Sequence, residues 1–209
     1  MDNMYLRQKN LDILFNIPEM ATVVGTGGVG SWTAINLALI GCESILMIEM
    51  DNIEVHNMNR SLFRIDSLGM NKAVAVAETI KSIRPLCAPI VIESRWEDNM
   101  THIGEVIFDC TDDIRTQKSI QAYAKENDLK YIKAGYEGTR IMVTDIVTGW
   151  KVNGLDDEAR GYDTPPVDSF ALSASIVASL MVLAAIDKGT KSPDLSFDIR
   201  TLLNQRVVE

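Results

Sequence analysis

The chain has 209 residues, a length that suits one α/β domain with or without a small appendage, and its hydrophobic content of 46% is enough for a sizeable core. A formal charge of −9 argues against a broad nucleic-acid-binding surface, because phosphate neutralisation needs clustered Lys and Arg. No apolar run reaches the length of about 20 residues that a membrane-spanning helix needs. The N-terminus has no signal-peptide core, and the 3 cysteines form no CxxC pair. We expect a reduced, cytoplasmic protein without zinc.

Strands and helices alternate along most of the chain. After a predicted helical arm over residues 1–18, the predicted strands cover 21–24, 43–50, 89–92, 106–110, 131–134 and 139–147, and the predicted helices cover 31–40, 69–83 and 114–127. This alternation predicts an α/β fold with a Rossmann-like, doubly wound, mainly parallel sheet and helices on both faces.

The C-terminal part has a different character. Residues 149–168 contain Gly, Asp and a Pro pair and are interpreted as a crossover loop. An apolar helix over 169–188 and a terminal hairpin, 195–199 with 202–208, form a predicted antiparallel extension. We expect residues 1–209 to form a single domain.

A glycine-rich turn joins the first strand to the first helix. Gly25, Gly27 and Gly30 have the GxGxxG spacing, and the strand–turn–helix context is the one in which that spacing indicates nucleotide binding. Glycines let the backbone approach phosphate closely, and a helix N-terminus offers unpaired N–H groups.

Acidic and basic side chains are predicted near this turn, because the carboxyl ends of parallel strands meet at one edge of a sheet. The acids are Glu49, Asp51, Asp112 and Asp113, and the nearby bases are Arg60, Arg64 and Lys72. Carboxylates that can hold Mg²⁺ and cations that can neutralise phosphate suit ATP chemistry better than hydride transfer.

Simpler interpretations apply to several of these residues taken singly. Asp113 is expected to be the N-cap of the following helix. Arg64 is expected at the surface, solvated or ion-paired. Lys72 alone would be an ordinary first-turn lysine, and Glu49 alone could bind ribose or act as a capping acid.

Several segments match one known family in order and spacing. They are Tyr5-Leu6-Arg7-Gln8, Gly25 to Ser31, Glu49-Met50-Asp51-Asn52-Ile53, Asn57-Met58-Asn59-Arg60, Leu68-Gly69-Met70-Asn71-Lys72-Ala73, Asp109-Cys110-Thr111-Asp112 and the helix over 170–186. The chain therefore resembles the ubiquitin-activating-enzyme-like adenylyltransferases, the group that includes ThiF, MoeB and HesA. Members of that group use ATP to adenylate a carboxylate, typically the C-terminal glycine of a ubiquitin-like protein, and release pyrophosphate.

The resemblance implies roles for twelve residues. The implied nucleotide-binding residues are Gly25, Gly27, Gly28, Gly30, Ser31, Glu49, Asp51 and Asn59, with Glu49 or Asp51 on the ribose. The implied catalytic residues are Arg7, Arg60, Lys72 and Asp112. Arg60 and Lys72 would bind the phosphates with Asn59, and Asp112 would hold Mg²⁺. Arg7 would reach the active site of a second copy, which implies a homodimer.

The chain also departs from the family pattern. The family's two CxxC pairs are absent, which implies no structural zinc. No cysteine follows Cys110 in this sequence, so we expect the reaction to stop at the acyl-adenylate or to continue on a thiol or amine elsewhere. Glu49 and Asp113 stand where the family more often has Asp and Asn. These departures leave the identity of the acceptor open.

Other functions stay open at this point. A zinc-free tRNA-modifying cyclase or dehydratase would use the same fold, although the negative charge makes nucleic-acid binding unexpected. An NAD(P)-dependent oxidoreductase fits the bare GxGxxG spacing but lacks an evident acid–base residue. A non-catalytic scaffold is a fourth hypothesis, and no membrane association is expected.

Overall fold

A seven-stranded sheet forms the centre of the computed structural model, which describes residues 4–11, 13–101, 103–147, 151–152, 155–156 and 168–204. The strands are β1 (Met20–Val24), β2 (Ser44–Ile48), β3 (Ala88–Ile92), β4 (Val106–Asp109), β5 (Lys130–Glu137), β6 (Arg140–Thr144) and β9 (Asp194–Asp198). A separate two-stranded ribbon consists of β7 (Lys151–Val152) and β8 (Leu155–Asp156). The helices are α1 (Gly28–Ile40), α2 (Lys72–Ile83), α3 (Ile114–Glu126) and α4 (Ala171–Ile186).

The strand order in the main sheet is β3-β2-β1-β4-β5-β6-β9. Strands β1 to β5 pair in parallel, and β6 and β9 continue the sheet in antiparallel pairing. The chain builds outward from β1 to β3, returns to the centre at β4 and builds the other way. This confirms the predicted doubly wound, mainly parallel sheet and its antiparallel extension.

The two faces of the sheet carry different helices. Helices α1, α2 and α4 pack on one face over a large core that includes Val23, Met47, Phe108 and Met181. Helix α3 packs on the other face over a smaller core with Ile107 and Ile120, because right-handed crossovers place helices on opposite faces when the winding direction reverses. Helices on both faces are therefore confirmed.

Helix α1 is the central element of the larger face. It packs on the sheet and is flanked by α4 and α2 on the same face, which explains why its sequence is apolar around most of its circumference. Gly41 ends it in a left-handed conformation, with φ of 110°. Its first residue is Gly28, three positions earlier than predicted, so the glycine turn supplies the first turn of the helix.

The predicted helical arm over residues 1–18 was wrong as an α-helix. Its described part consists of turns and a three-residue 3₁₀-helix, Lys9–Leu11. The Tyr5 hydroxyl donates to the Ala38 carbonyl at 3.4 Å and the Gln8 amide to the Ile40 carbonyl at 2.6 Å. These side-chain bonds fix the arm to the C-terminal end of α1, and its own backbone bonds, such as Leu11 N–H to the Gln8 carbonyl at 2.7 Å, form turns instead of a continuous α-helix.

Two further predictions need correction, and a third falls mostly outside the described residues. Helix α2 begins at Lys72 and not at residue 69, because Asn71 caps it by accepting from Ala73 N–H at 2.9 Å. The predicted terminal hairpin was wrong, since β9 pairs with β6 and Ile199–Asn204 is a 3₁₀-helix. The ribbon β7–β8 lies within the predicted crossover loop 149–168, and most of that loop, with residues 205–208, lies outside the described residues. In the described ranges, no helix combines the length and apolarity needed to cross a membrane.

Candidate functional site

The carboxyl ends of β2, β1 and β4 lie side by side where the winding of the sheet reverses. In open α/β sheets this is the position of the ligand-binding crevice. The glycine turn follows β1, the segment with Glu49 and Asp51 follows β2, and Asp112 follows β4. The fold therefore brings the predicted site segments to one edge.

The glycine turn is packed tightly on its inner side and open on its outer side. A Cβ atom at Gly30 would lie 1.8 Å from the Gly25 carbonyl oxygen, and Gly25 has φ of +80°. Both positions therefore require glycine. A Cβ atom at Gly27, the N-cap of α1, would meet no atom within 4 Å. Open space thus lies in front of the N-terminus of α1, where backbone N–H groups favour an anion.

Glu49 connects the glycine turn to the end of β2. Its side chain is 8% exposed, and its carboxylate accepts from Thr26 N–H at 2.8 Å and from Asp51 N–H at 2.9 Å. The extra methylene of Glu over Asp lets the carboxylate reach the turn. Both carboxylate oxygens are engaged by the protein, and the ribose contact of Glu49 stays a prediction.

Lys72 and Asp51 form a salt bridge between two site segments. The Lys72 Nζ atom lies 2.9 Å from Asp51 Oδ2, and the Lys72 side chain is only 12% exposed. The Asn71 amide donates to the Glu49 carbonyl at 3.0 Å and so fixes the start of α2 against the end of β2. Sequence reasoning missed the role of Asn71, although its N-cap residue type was an available signal.

Arg60 lies against the first turn of α1. Its Cγ and Cδ atoms are 3.3 Å from the Cβ position at Gly28. Its guanidinium donates to the His56 carbonyl at 2.6 Å and to Asn59 Oδ1 at 3.0 Å. The Trp32 indole donates to the Arg60 carbonyl at 3.1 Å, so α1 itself holds the loop that carries Arg60.

Tyr136, near the end of β5, is a site residue that sequence reasoning missed. Its hydroxyl oxygen is 2.9 Å from the Cβ position at Gly28 and is hydrogen-bonded to the Ser169 side chain. Asn59 donates from its amide to the Ser169 carbonyl at 3.1 Å. No sequence signal marked Tyr136, because only the fold brings β5 and residue 169 to the start of α1.

Asp112 and Asp113 have different roles. Asp113 accepts from Thr116 N–H at 2.8 Å and from the Thr116 hydroxyl at 2.7 Å, which confirms it as the N-cap of α3. The Thr116 hydroxyl bond holds the pKa of this carboxyl below its usual range. Asp112 is exposed and has no hydrogen bond or ion pair to another described residue. One exposed carboxylate beside a phosphate-binding turn fits Mg²⁺, which uses few protein ligands and completes its shell with phosphate and water.

A buried polar network underlies the turn that carries Asp112. The Asp109 carboxylate is fully buried and accepts from the Tyr131 hydroxyl and the Thr111 hydroxyl, each at 2.7 Å. Burial raises the pKa of Asp109 above its usual range. Gln117 donates to the Thr111 carbonyl at 2.7 Å and accepts from buried Lys133. These bonds fix Thr111, the residue before Asp112.

The cysteines are packed as core residues. The Cys110 thiol lies 3.9 Å from the Thr33 hydroxyl and 3.8 Å from the Met181 sulfur, and its burial raises its pKa. Burial also raises the pKa of Cys42 to about 12 and that of Cys87 above its usual range. Raised pKa values disfavour the nucleophilic thiolate. Within the described ranges, no group of three or more His, Cys, Asp or Glu side chains is placed to hold a metal ion.

The fold does not bring every predicted site residue to this edge. Arg7 is exposed in the arm, whose neighbours Tyr5 and Gln8 are bound at the C-terminal end of α1. That end is about 20 Å from the glycine turn along a 13-residue helix. The Ser31 hydroxyl is buried and donates to the Gly28 carbonyl at 3.3 Å, so a phosphate contact from Ser31 stays a prediction.

Two other residues lie outside the site. Arg64 pairs with Asp66 at 2.6 Å on the surface, as expected. His102, one of the two histidines, lies outside the described residues.

This fold, with a glycine-rich turn at the point where the winding of the sheet reverses, defines a Rossmann-like α/β protein. The chain belongs to the ThiF family, whose family model matches residues 16–206.

Individual relatives agree with this assignment. Over 135 residues the chain is 36% identical to the tRNA threonylcarbamoyladenosine dehydratase of Escherichia coli K12, covering 59% of this chain and 50% of the relative. It is 30% identical over 136 residues to the ubiquitin-like modifier-activating enzyme 5 of Drosophila mojavensis, covering 56% of this chain and 33% of the relative. The chain thus spans half or less of the length of these relatives.

A solved structure with ATP bound is also similar. It is the E. coli tRNA threonylcarbamoyladenosine dehydratase in complex with ATP, at 29% identity and a TM-score of 0.58 over 66% of this chain and 59% of that chain.

Proposed function

We propose that this chain is an ATP-dependent adenylyltransferase that activates a carboxylate as an acyl-adenylate. The observations that carry the proposal are that Arg60 packs on the first turn of α1, that Lys72 pairs with Asp51 after β2, and that Asp112 follows β4 at the same edge of the sheet. They occur in a member of the ThiF family. The similarity to an ATP-bound relative supports ATP as the nucleotide.

The proposed reaction is a displacement at the α-phosphate. A carboxylate oxygen of the acceptor bonds to the α-phosphorus of ATP. The bond from that phosphorus to the α–β bridging oxygen breaks, and the electron pair leaves with pyrophosphate. The products are an acyl-adenylate and pyrophosphate, so the step needs no oxidant or reductant.

In this proposal, each part of ATP has a partner among the described residues. Backbone N–H groups at the start of α1 face the phosphates, and Asp51 at the end of β2 is expected at the ribose. Lys72 and Arg60 neutralise charge that develops on the phosphate oxygens. Asp112 would hold Mg²⁺, which would supply further charge neutralisation.

The acceptor in the proposed reaction is expected to be the C-terminal glycine of a ubiquitin-like or sulfur-carrier protein, or a peptide. The raised pKa values of Cys42, Cys87 and Cys110 support transfer of the activated acyl group to a thiol or amine elsewhere.

We also propose a homodimer. Near Arg7, the arm, α1 and α4 border an apolar groove of about 420 Å³ that includes Leu11, Leu39 and Leu183. These three leucines are between 39% and 45% exposed in the single chain. An exposed apolar surface of this kind is typical of a protein interface. A second copy covering this groove is the proposed partner, and the family resemblance is what assigns its Arg7 to the neighbouring site.

A second candidate function is dehydration of a modified tRNA. The observation that favours it is the 36% identity to a tRNA threonylcarbamoyladenosine dehydratase. The formal charge of −9 argues against extensive tRNA contacts. A tRNA gel-shift assay at moderate salt separates the two candidates, because only the second requires tRNA binding.

The main test is exchange of labelled pyrophosphate into ATP, measured with peptides and ubiquitin-like proteins that end in glycine. We expect acceptor-dependent exchange that Asp112→Asn abolishes. Asp113→Asn is the matched control, because it changes the adjacent carboxylate, keeps an N-cap and should retain exchange. Binding of NADH but not of ATP in calorimetry would instead indicate an oxidoreductase.

A further inference from the structure

The Tyr136 hydroxyl lies directly over the first turn of α1. Its oxygen is 2.9 Å from the position of a Cβ atom at Gly28, so it fits there only because residue 28 is glycine. The Arg60 side chain lies on the same residue at 3.3 Å. A phenol and a guanidinium from two distant parts of the chain therefore meet at the start of the helix that faces the phosphates.

The position of Tyr136 in the sheet indicates which part of ATP it would meet. Tyr136 is on β5, and the order β2-β1-β4-β5 places that strand three steps from β2, the ribose side of the site. Three strand spacings amount to about 14 Å. The Tyr136 side chain thus approaches the glycine turn from the side of the sheet away from Asp51, which is where the outer phosphates lie if ATP extends from Asp51 across the turn.

The hydrogen bonding of Tyr136 leaves it able to donate. Burial raises the pKa of Tyr136, so the phenol is neutral at physiological pH, while the bond from the Ser169 side chain and the charge of Arg60 act in the opposite direction. A tyrosine hydroxyl can accept one hydrogen bond while it donates another, so the Ser169 hydroxyl can be the donor to the phenolic oxygen. The Tyr136 O–H hydrogen is then available to a second acceptor.

We propose that the Tyr136 hydroxyl donates a hydrogen bond to the β- or γ-phosphate of ATP bound at the glycine turn, an inference that rests on the proposed function. Tyr136 is then a substrate-binding residue that distinguishes ATP from AMP.

The test compares the affinities of ATP with Mg²⁺ and of AMP, measured by calorimetry on the full chain. Tyr136→Phe keeps the ring and removes the donor, so it is expected to weaken ATP about tenfold, the loss typical of one hydrogen bond to a charged group, and to leave AMP unchanged. Ser169→Ala is the matched control, because it removes the bond to the phenol and keeps the donor, and it should leave the ATP-to-AMP ratio unchanged.

A second variant tests the geometry. In Gly28→Ala the new methyl group is expected to displace the Tyr136 hydroxyl and so weaken ATP binding. Adding Tyr136→Phe to this variant should cause little further loss of ATP affinity, because both changes remove the same contact. Equal weakening of ATP and AMP by Tyr136→Phe, or no effect on either, would overturn the inference and leave the proposed function intact. Failure of the wild-type chain to bind ATP would overturn both.

Discussion

The Lys72 ammonium lies 2.9 Å from the Asp51 carboxylate, and Lys72 is the first residue of α2. A lysine at a helix N-terminus faces the positive end of the helix dipole, which is an unfavourable position. Asp51 compensates in the free protein, and a bound phosphate can take over as the partner of Lys72. We interpret Lys72 as a phosphate-binding residue whose position is maintained by Asp51 until nucleotide arrives.

Lys72→Met is therefore expected to reduce pyrophosphate exchange about 100-fold or more, because it removes a charge that stabilises the transition state. Thermal unfolding should show no loss of stability, since the dipole conflict disappears with the charge. Lys81→Met, in the last turn of the same helix, is the control and should retain exchange. Equal activity of the two variants would refute a role for Lys72 in phosphate binding.

The glycine turn gives a prediction that separates stability from binding. Gly30→Ala is expected to destabilise the fold by about 3 kcal/mol, because its Cβ atom would overlap the Gly25 carbonyl oxygen. Gly27→Ala replaces an N-cap residue in open space and should cost about 1 kcal/mol, while its methyl group intrudes on the phosphate site. Urea unfolding and ATP titration of both variants measure the two effects. If Gly27→Ala bound ATP as well as the wild type, the phosphates would have to lie elsewhere.

Asp113 makes stability depend on pH in a defined direction. Its pKa is lowered in the folded chain from an ordinary value of 3.8, so its contribution is fully present above that value and is lost as pH falls through the lower folded pKa. Asp113→Ala should cost about 1 kcal/mol at pH 7 and progressively less on acidification. Asp113→Asn, an equally good N-cap that does not titrate, should match the wild type at neutral pH. Urea midpoints across this pH range test the prediction, which fails if the deficit of Asp113→Ala is independent of pH.

The proposed homodimer predicts complementation between two inactive variants. If Arg7 acts in the partner's site, subunits carrying Arg7→Ala and Asp112→Asn should each be inactive alone. A mixed dimer then contains one site with both wild-type residues, and a random equimolar mixture should recover about a quarter of the activity. Co-expression with two affinity tags, followed by pyrophosphate exchange, gives the measurement. A mixture as inactive as its components would place Arg7 in the site of its own chain, or in none.

Much of the fold could be predicted from the sequence because strand and helix periodicity are local properties. The strand–turn–helix at Ala21 and the N-cap at Asp113 follow from neighbouring residues and are confirmed. The predictions that were wrong concern elements whose structure depends on distant parts of the chain or on helix capping. The arm is held by contacts of Tyr5 and Gln8 to α1, and β9 is paired with β6 instead of with the residues that follow it.

The candidate site also divides into features that the sequence predicted and features that only the fold determines. Spacing located the glycine turn and the strand-end acids, and the fold then placed Asp51 against Lys72. The inward orientation of the Glu49 carboxylate toward Thr26 depends on the packing of two loops, which spacing does not encode. Tyr136 was missed for the same reason, since its distance to Gly28 is set by the relative position of β5 and α1.

The strands at the two ends of the main sheet bear on how copies of the chain can associate. Pro89 in β3 has no N–H group to offer a neighbouring strand, and β9 begins and ends with aspartate, at Asp194 and Asp198. Proline and charged side chains discourage strand-to-strand joining of sheets. Edge-to-edge growth into continuous sheets is thereby opposed at both ends of the sheet. In the proposed homodimer the two copies meet through α1 and α4 instead, an association that closes after two copies.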